Sequence, residues 1–180
     1  MYLCRYADDF VWAFELQADA ERFYQVLDSR LEKFGLEFAM EKTNLIRFSS
    51  SHWKASGTFE FLGFEFRWGR GRWGKPVLKR RTARKKYRAA LASFQDWCRK
   101  HCRRPKAVLF AKLNAKLRGC YQYYGIRGNF ESLADFYHQM RRLLFRTLNR
   151  RSQRRSYNWK GFAELLQVFR LERPRICHDF

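Results

Sequence analysis

Apolar and polar positions alternate at the start of the chain. Tyr2–Ala7 and Phe10–Phe14 read as two short strands joined through Asp8-Asp9, with aromatic and β-branched residues flanking a two-carboxylate turn. From Asp19 to Phe34 the apolar positions Ala20, Phe23, Tyr24, Leu27, Leu31 and Phe34 recur with helical spacing, and Gly35 supplies a stop. Short apolar pieces follow at Leu36–Phe38, Leu45–Phe48, Phe59–Leu62 and Phe64–Trp68. Gly63, between the last two, marks a bulge or a close backbone approach. A glycine-rich turn over 69–74 leads to a strand at Pro76–Lys79, placed to pair with Phe64–Trp68.

From residue 82 the period becomes helical. Thr82 is a candidate cap for a helix with Tyr87, Ala90, Leu91, Phe94, Trp97 and Cys98 on one face. Pro105 suits the first turn of a second helix, striped by Val108, Leu109, Leu113, Leu117, Cys120, Tyr121 and Tyr124 and ended by Gly125. Asn129 is a candidate cap for a third, carrying Leu133, Phe136, Tyr137, Met140, Leu143, Leu144 and Leu148. Ser156 could cap a fourth, with Trp159, Phe162, Leu165 and Leu166. Apolar stripes of this kind pack into a small bundle. The opposite faces are crowded with Arg and Lys.

Charge sharpens this division. The 180 residues carry a net +21. Residues 1–66 hold seven Lys+Arg against eleven Asp+Glu, a net −4, whereas residues 67–180 hold 31 against six, a net +25. A folded chain with so much like charge repels itself unless a polyanion neutralises it. Arg outnumbers Lys in the basic part, which suits forked phosphate contacts and stacking on bases. With 46% hydrophobic residues and 18 Phe, nine Tyr and six Trp, the chain can build a core, which argues against disorder. Five cysteines with no CxxC pair argue against a disulfide scaffold or zinc knuckle. Cys98 and Cys102, one turn apart beside His101, read as small apolar residues on a helix face. No apolar run approaches spanning length and no signal peptide is visible, so the expectation is a reducing, cytoplasmic setting without membrane contact.

The sharpest chemical signal is Asp8-Asp9. Adjacent carboxylates at a strand–turn–strand repel each other unless water or a cation relieves them. Phosphoryl transfer by the two-metal route needs carboxylates that clamp Mg²⁺ near the attacking and leaving oxygens. As a bare dipeptide the pair reads as a solvated turn; its context reverses that reading.

Arg5-Tyr6-Ala7-Asp8-Asp9-Phe10, followed by Val11, Trp12 and Ala13, resembles the active-site hairpin of reverse transcriptases. The run from Phe34 to Thr43 (FGLEFAMEKT) resembles the palm segment after the helix in group II intron reverse transcriptases, and Phe59 to Phe64 (FEFLGF) their primer-grip hairpin. Lys112 to Gly125 (KLNAKLRGCYQYYG) and Leu148 to Trp159 (LNRRSQRRSYNW) resemble the family's thumb, also called domain X or the maturase-specific region, and Pro174 to Ile176 is typical of it. The resemblance covers nearly the whole chain in family order. It implies an α+β fold: the C-terminal half of a reverse-transcriptase palm over 1–79, followed by an all-α thumb or maturase bundle over 80–180. It implies Asp8 and Asp9 as the catalytic, Mg²⁺-binding pair, with Asp8 the direct ligand and Asp9 more peripheral. It places Tyr6, Ala7, Lys42, Leu62 and Gly63 near nucleotide or primer. Its partners would be group II intron RNA and an RNA/DNA primer–template duplex, in a bacterial-type or organellar interior.

For RNA contact the resemblance and the charge pattern converge on Arg80, Arg81, Arg84, Lys85, Lys86, Arg88, Arg118, Arg141, Arg142, Arg146, Arg150, Arg151, Arg154 and Arg155, with Tyr157 and Trp159 as stacking aromatics. A further basic run, Arg99 to Lys106, lies between them. The family's fingers and first palm half, with another metal-binding aspartate, have no counterpart in these residues. The expectation is RNA binding without polymerisation by this chain alone, as a gene remnant, an incomplete gene call, or one piece of a split enzyme that pairs with an upstream reverse-transcriptase fragment. The alternative is a non-specific basic nucleic-acid-binding protein with an inert palm remnant. A nuclease using Asp8 and Asp9 lacks a third acidic ligand or a nearby His.

Overall fold

The structure is a computed structural model that describes residues 1–37, 39–150 and 156–178. The fold is α+β. The chain divides into two compact units, Met1–Lys79 and Arg80–Phe180.

In the first unit, β1 (Tyr2–Tyr6) and β2 (Asp9–Ala13) form an antiparallel hairpin in register from Tyr2↔Ala13 to Tyr6↔Asp9. That register leaves Ala7 and Asp8 as a two-residue loop, the length that best matches strand twist. The turn therefore sits one residue earlier than the expected Asp8-Asp9 link, and Asp9 opens β2. Helix α1 (Gln17–Glu32) packs Phe23 against Trp12 at 4.4 Å and Phe14 at 5.3 Å, and buries Leu27. It closes at Gly35 as expected, with Leu36 N–H bonding Leu31 O (3.1 Å) and Gly35 N–H bonding Glu32 O (2.9 Å).

A 3-10 turn, Met40–Lys42, precedes a three-stranded antiparallel arrangement in the order β3 (Thr58–Phe61), β4 (Phe64–Arg70), β5 (Pro76–Thr82). The apolar piece at Leu45–Phe48 forms no strand, and that at Leu36–Phe38 ends on a residue outside the description. Phe59 and Phe66 are direct cross-strand partners and stack at 5.0 Å, with Phe48 edge-on to Phe59 at 5.0 Å. Gly63 is not a bulge. Phe61 pairs with Phe64, so Leu62 (φ +50°) and Gly63 (φ +77°) are the two central residues of the turn. Left-handed angles at both are the signature of a type I′ hairpin, which Gly tolerates and Leu resists. Among the described residues of this unit, Leu27 and Phe64 are the only buried apolar side chains.

The second unit holds nearly all of the core. Helices α2 (Arg84–His101), α3 (Lys106–Tyr124), α4 (Phe130–Asn149) and α5 (Trp159–Val168) surround a cluster that includes Phe94, Cys98, Leu113, Leu117, Tyr121, Met140, Leu144 and Phe162. These are the stripe positions the period identified. At ~1.5–3 kcal/mol per buried large apolar side chain, the cluster dominates the stability of the unit. Two cap assignments differ from expectation, and a third holds in position without a side-chain capping bond. Thr82 ends β5, and the N-cap of α2 is Ala83, with no side-chain cap. Asn129 does precede α4, but its side chain turns inward. The cap of α5 is Asn158, not Ser156, accepting from Gly161 N–H at 2.8 Å.

Fully buried Asn129 is the polar node of this unit. Its Oδ1 accepts from Thr82 N–H (2.8 Å), and its Nδ2 donates to Tyr124 O (2.9 Å) and Thr82 Oγ1 (3.0 Å). A second tie lies at Gly125. The C-terminal segment lays Cys177 N–H (2.6 Å) and His178 N–H (3.0 Å) on Gly125 O, and His178 bridges Ile126 in parallel. A Cβ on Gly125 would stand 2.1 Å from Tyr121 O and 2.8 Å from Arg175 O, so glycine is required by space as well as by the helix end.

Candidate nucleic-acid interface

The β1–β2 tip is built from short-range forces. Arg5 Nε–H donates to Ala7 O at 2.9 Å across the loop, holding Ala7 at φ +51°. That angle is costly for a residue with a Cβ, and Gly is its usual occupant at the first position of such loops. Asp8 and Asp9 are both exposed, and neither side chain bonds another described residue. Tyr6 is exposed beside them. No group of three or more His, Cys, Asp or Glu is gathered to hold a metal among the described residues. Lys42 is exposed at the end of the 3-10 turn, and Leu62 and Gly63 form the half-buried tip of β3–β4.

Residues 1–66 match the family of reverse transcriptases (RNA-dependent DNA polymerases). The matched stretch runs from the Asp8-Asp9 hairpin through the Leu62-Gly63 turn, and it stops where the basic part begins. No curated protein and no solved structure gives a match.

The cations of the second unit fall in different settings. Arg84, Lys85, Lys86 and Arg88 are exposed on the first turns of α2, where no acidic residue occurs. The N-terminal end of a helix carries partial positive charge, so cations there are unfavourable unless an anion approaches. Arg80 and Arg81 are half-buried just upstream. A shallow cleft beside them is lined by Arg81, Thr82, Arg84, Tyr87, Ser132 and Asp135. There Tyr87 donates to the Asp135 carboxylate, and burial together with that bond pushes the Tyr87 phenol upward. Sequence periodicity assigned Tyr87 to the core face and gave no hint of its partner 48 residues away.

Arg118 is engaged with Glu172, at 3.1 Å. Arg141 is half-buried, its guanidinium 5.6 Å from the Tyr137 ring centre. Arg142, Arg146 and Arg150 are exposed, the last two at the C-terminal end of α4, where positive charge is favourable. Arg151, Arg154 and Arg155 lie outside the described residues. Of the stacking candidates, Trp159 lies flat on Phe145 at 4.0 Å while remaining 54% exposed, so its outer face is open. Tyr157 is half-buried under Lys106 Nζ, 4.6 Å from its ring centre. Tyr121 is core, as its stripe position indicated. No described helix is long and apolar enough to cross a membrane.

Proposed function

We propose that this chain is part of a group II intron-type reverse transcriptase/maturase. Residues 1–79 are the second half of a palm and residues 80–180 are the thumb or maturase-specific bundle. By itself it binds intron RNA, favours its compact form, and does not extend primers. The observation that carries the reading is the covalent pairing of a reverse-transcriptase segment, tipped by Asp8 and Asp9, with a net +25 region whose helical bundle exposes cations at an acid-free helix start.

The donor set at the tip suits Mg²⁺ in part. Mg²⁺ is held by one or two carboxylates, water and substrate phosphates, and Asp8 and Asp9 could supply the carboxylates. When bound it would neutralise phosphate charge near the reacting oxygens. A two-metal clamp needs more carboxylate than the described residues gather. The role of this chain is then to present the pair on a short hairpin and, through Tyr6, Ala7, Lys42, Leu62 and Gly63, to line a primer and nucleotide site. Arg80, Arg81 and the α2 cations would hold RNA phosphates, and Trp159 an unpaired base.

Two measurements test this. At fixed salt, the chain should bind a folded group II intron RNA more tightly than a random RNA of the same length. Equal affinities would favour a non-specific basic binder with an inert palm remnant. The purified chain with Mg²⁺, primer and RNA template should give no extension. Robust extension would overturn the assignment of a non-polymerising module.

A further inference from the structure

The β4–β5 hairpin ends in a turn that none of the roles above uses. Gly71 N–H bonds Lys75 O (2.8 Å) and Gly74 N–H bonds Gly71 O (3.1 Å), so the tip is an ordered loop. Its apex is Trp73, 85% exposed and the most exposed of the large hydrophobic residues described. Arg70, Arg72 and Lys75 are exposed around it, and none is ion-paired with a described carboxylate. The Arg72 guanidinium stands 5.7 Å from the Trp73 ring centre. No Asp or Glu occurs between Glu65 and Asp96, a stretch holding eleven Lys and Arg.

An indole left in water on a rigid tip, ringed by unpaired cations, is a costly arrangement for an isolated surface. Both costs are relieved by one class of partner. A flexible single strand of nucleic acid offers a flat base to cover the indole and phosphates to meet the neighbouring cations. A duplex offers phosphates but keeps its bases stacked. An acidic protein surface could meet the cations but offers no matching flat face for the indole.

We propose that the 70–75 tip is a single-strand nucleic-acid contact in which Trp73 stacks on an unpaired base and Arg70, Arg72 and Lys75 hold the flanking phosphates. The site lies outside the cations of the helical unit and outside the Asp8-Asp9 hairpin. It rests on the reading of nucleic acid as the partner. Its specificity is for unpaired strands rather than for sequence, since every base has a face to stack.

The test uses the full 180-residue chain, a single-stranded RNA of about 12 nucleotides and a blunt RNA duplex of the same length. Trp73→Ala should weaken single-strand binding about tenfold while changing duplex binding less than about twofold. Trp73→Phe should restore most of the loss. Arg72→Ala should lower the single-strand salt slope by about 0.7, one phosphate's worth. An exposed side chain is removed in each case, so far-UV spectra and thermal midpoints should stay unchanged. If the unsubstituted chain binds neither RNA, the nucleic-acid reading itself fails. If it binds both and Trp73→Ala binds the single strand equally well, the tip proposal alone fails. The tip proposal also fails if Trp73→Ala leaves RNA binding intact but converts a self-associated chain to monomer, which would make the tip a protein contact.

Discussion

Replacing Asn129 with Leu tests how the basic edge of the helical unit is held. The side chain is fully buried and satisfies Thr82 N–H at 2.8 Å, Tyr124 O at 2.9 Å and Thr82 Oγ1 at 3.0 Å. Leucine has the same branched shape and is somewhat larger, so no cavity opens and the main loss is one of hydrogen bonding. One backbone donor, Thr82 N–H, is stranded at about 1–3 kcal/mol when buried, while Tyr124 O keeps Ile126 N–H (2.9 Å) and the half-buried Thr82 hydroxyl can turn toward solvent. The expected loss is about 2 kcal/mol, a sizeable part of the ~5–15 kcal/mol that keeps a domain folded. With a urea m-value of about 1–3 kcal/mol per M, the midpoint should fall by roughly 0.7–2 M. Asn129→Asp is the informative companion. It keeps the acceptor for Thr82 N–H but aims a carboxylate at the Tyr124 carbonyl. It should therefore be as unstable as the Leu variant at neutral pH and, relative to the unsubstituted chain, recover below about pH 5, where the carboxyl regains a proton to donate. A loss under about 0.5 kcal/mol for Asn129→Leu would refute the view that this node anchors Thr82, and with it the start of α2.

Gly125→Ala should destabilise the helical unit by about 3 kcal/mol or more, read by urea unfolding, because the new methyl meets the backbone at Tyr121 and Arg175 rather than a side chain that could yield. Leu62→Gly should raise stability by up to about 1 kcal/mol, since it removes a Cβ from a left-handed turn position; thermal unfolding reads the gain, and a loss would show that the Leu62 side chain packs usefully. Burial raises the Cys98 thiol from 9.0 to about 12, so the unfolded chain ionises first as pH rises. Stability from this group is complete below pH 9 and falls between pH 9 and about 12, and Cys98→Ala should flatten that part of the profile in denaturation measured across it.

The helical unit was legible because its stripes are long and periodic. Leu113, Leu117, Tyr121, Met140, Leu144 and Phe162 are core residues where spacing put them. The first two hairpins were legible as strands but not in their turns. A register shift of one residue moved the first loop from Asp8-Asp9 to Ala7-Asp8, and a turn built on Leu62 at φ +50° has no sequence signature, because Leu is not a residue that favours that angle. Asn129 stands at the N-cap of α4 as its position indicated, but it and Thr82 cap no helix with their side chains because each has a partner far along the chain. Thr82 and Asn129 bond each other across 47 positions, and no local pattern reports that. The same limit applies to the Tyr87–Asp135 pair and to the Arg118–Glu172 bridge. Charge asymmetry was plain in the sequence, but which cations face solvent needed the fold: Arg141 lies over Tyr137, while Arg84 and Lys85 are exposed on a helix turn that carries no acid of its own.

The most direct test of the proposed RNA binding is the salt dependence of the chain's affinity for a folded intron RNA. If six or more phosphates are neutralised by these arginines and lysines, raising salt from about 50 to 200 mM should weaken binding by roughly a thousandfold or more, linearly on logarithmic axes. An affinity that stays flat across that range would contradict the account at its root.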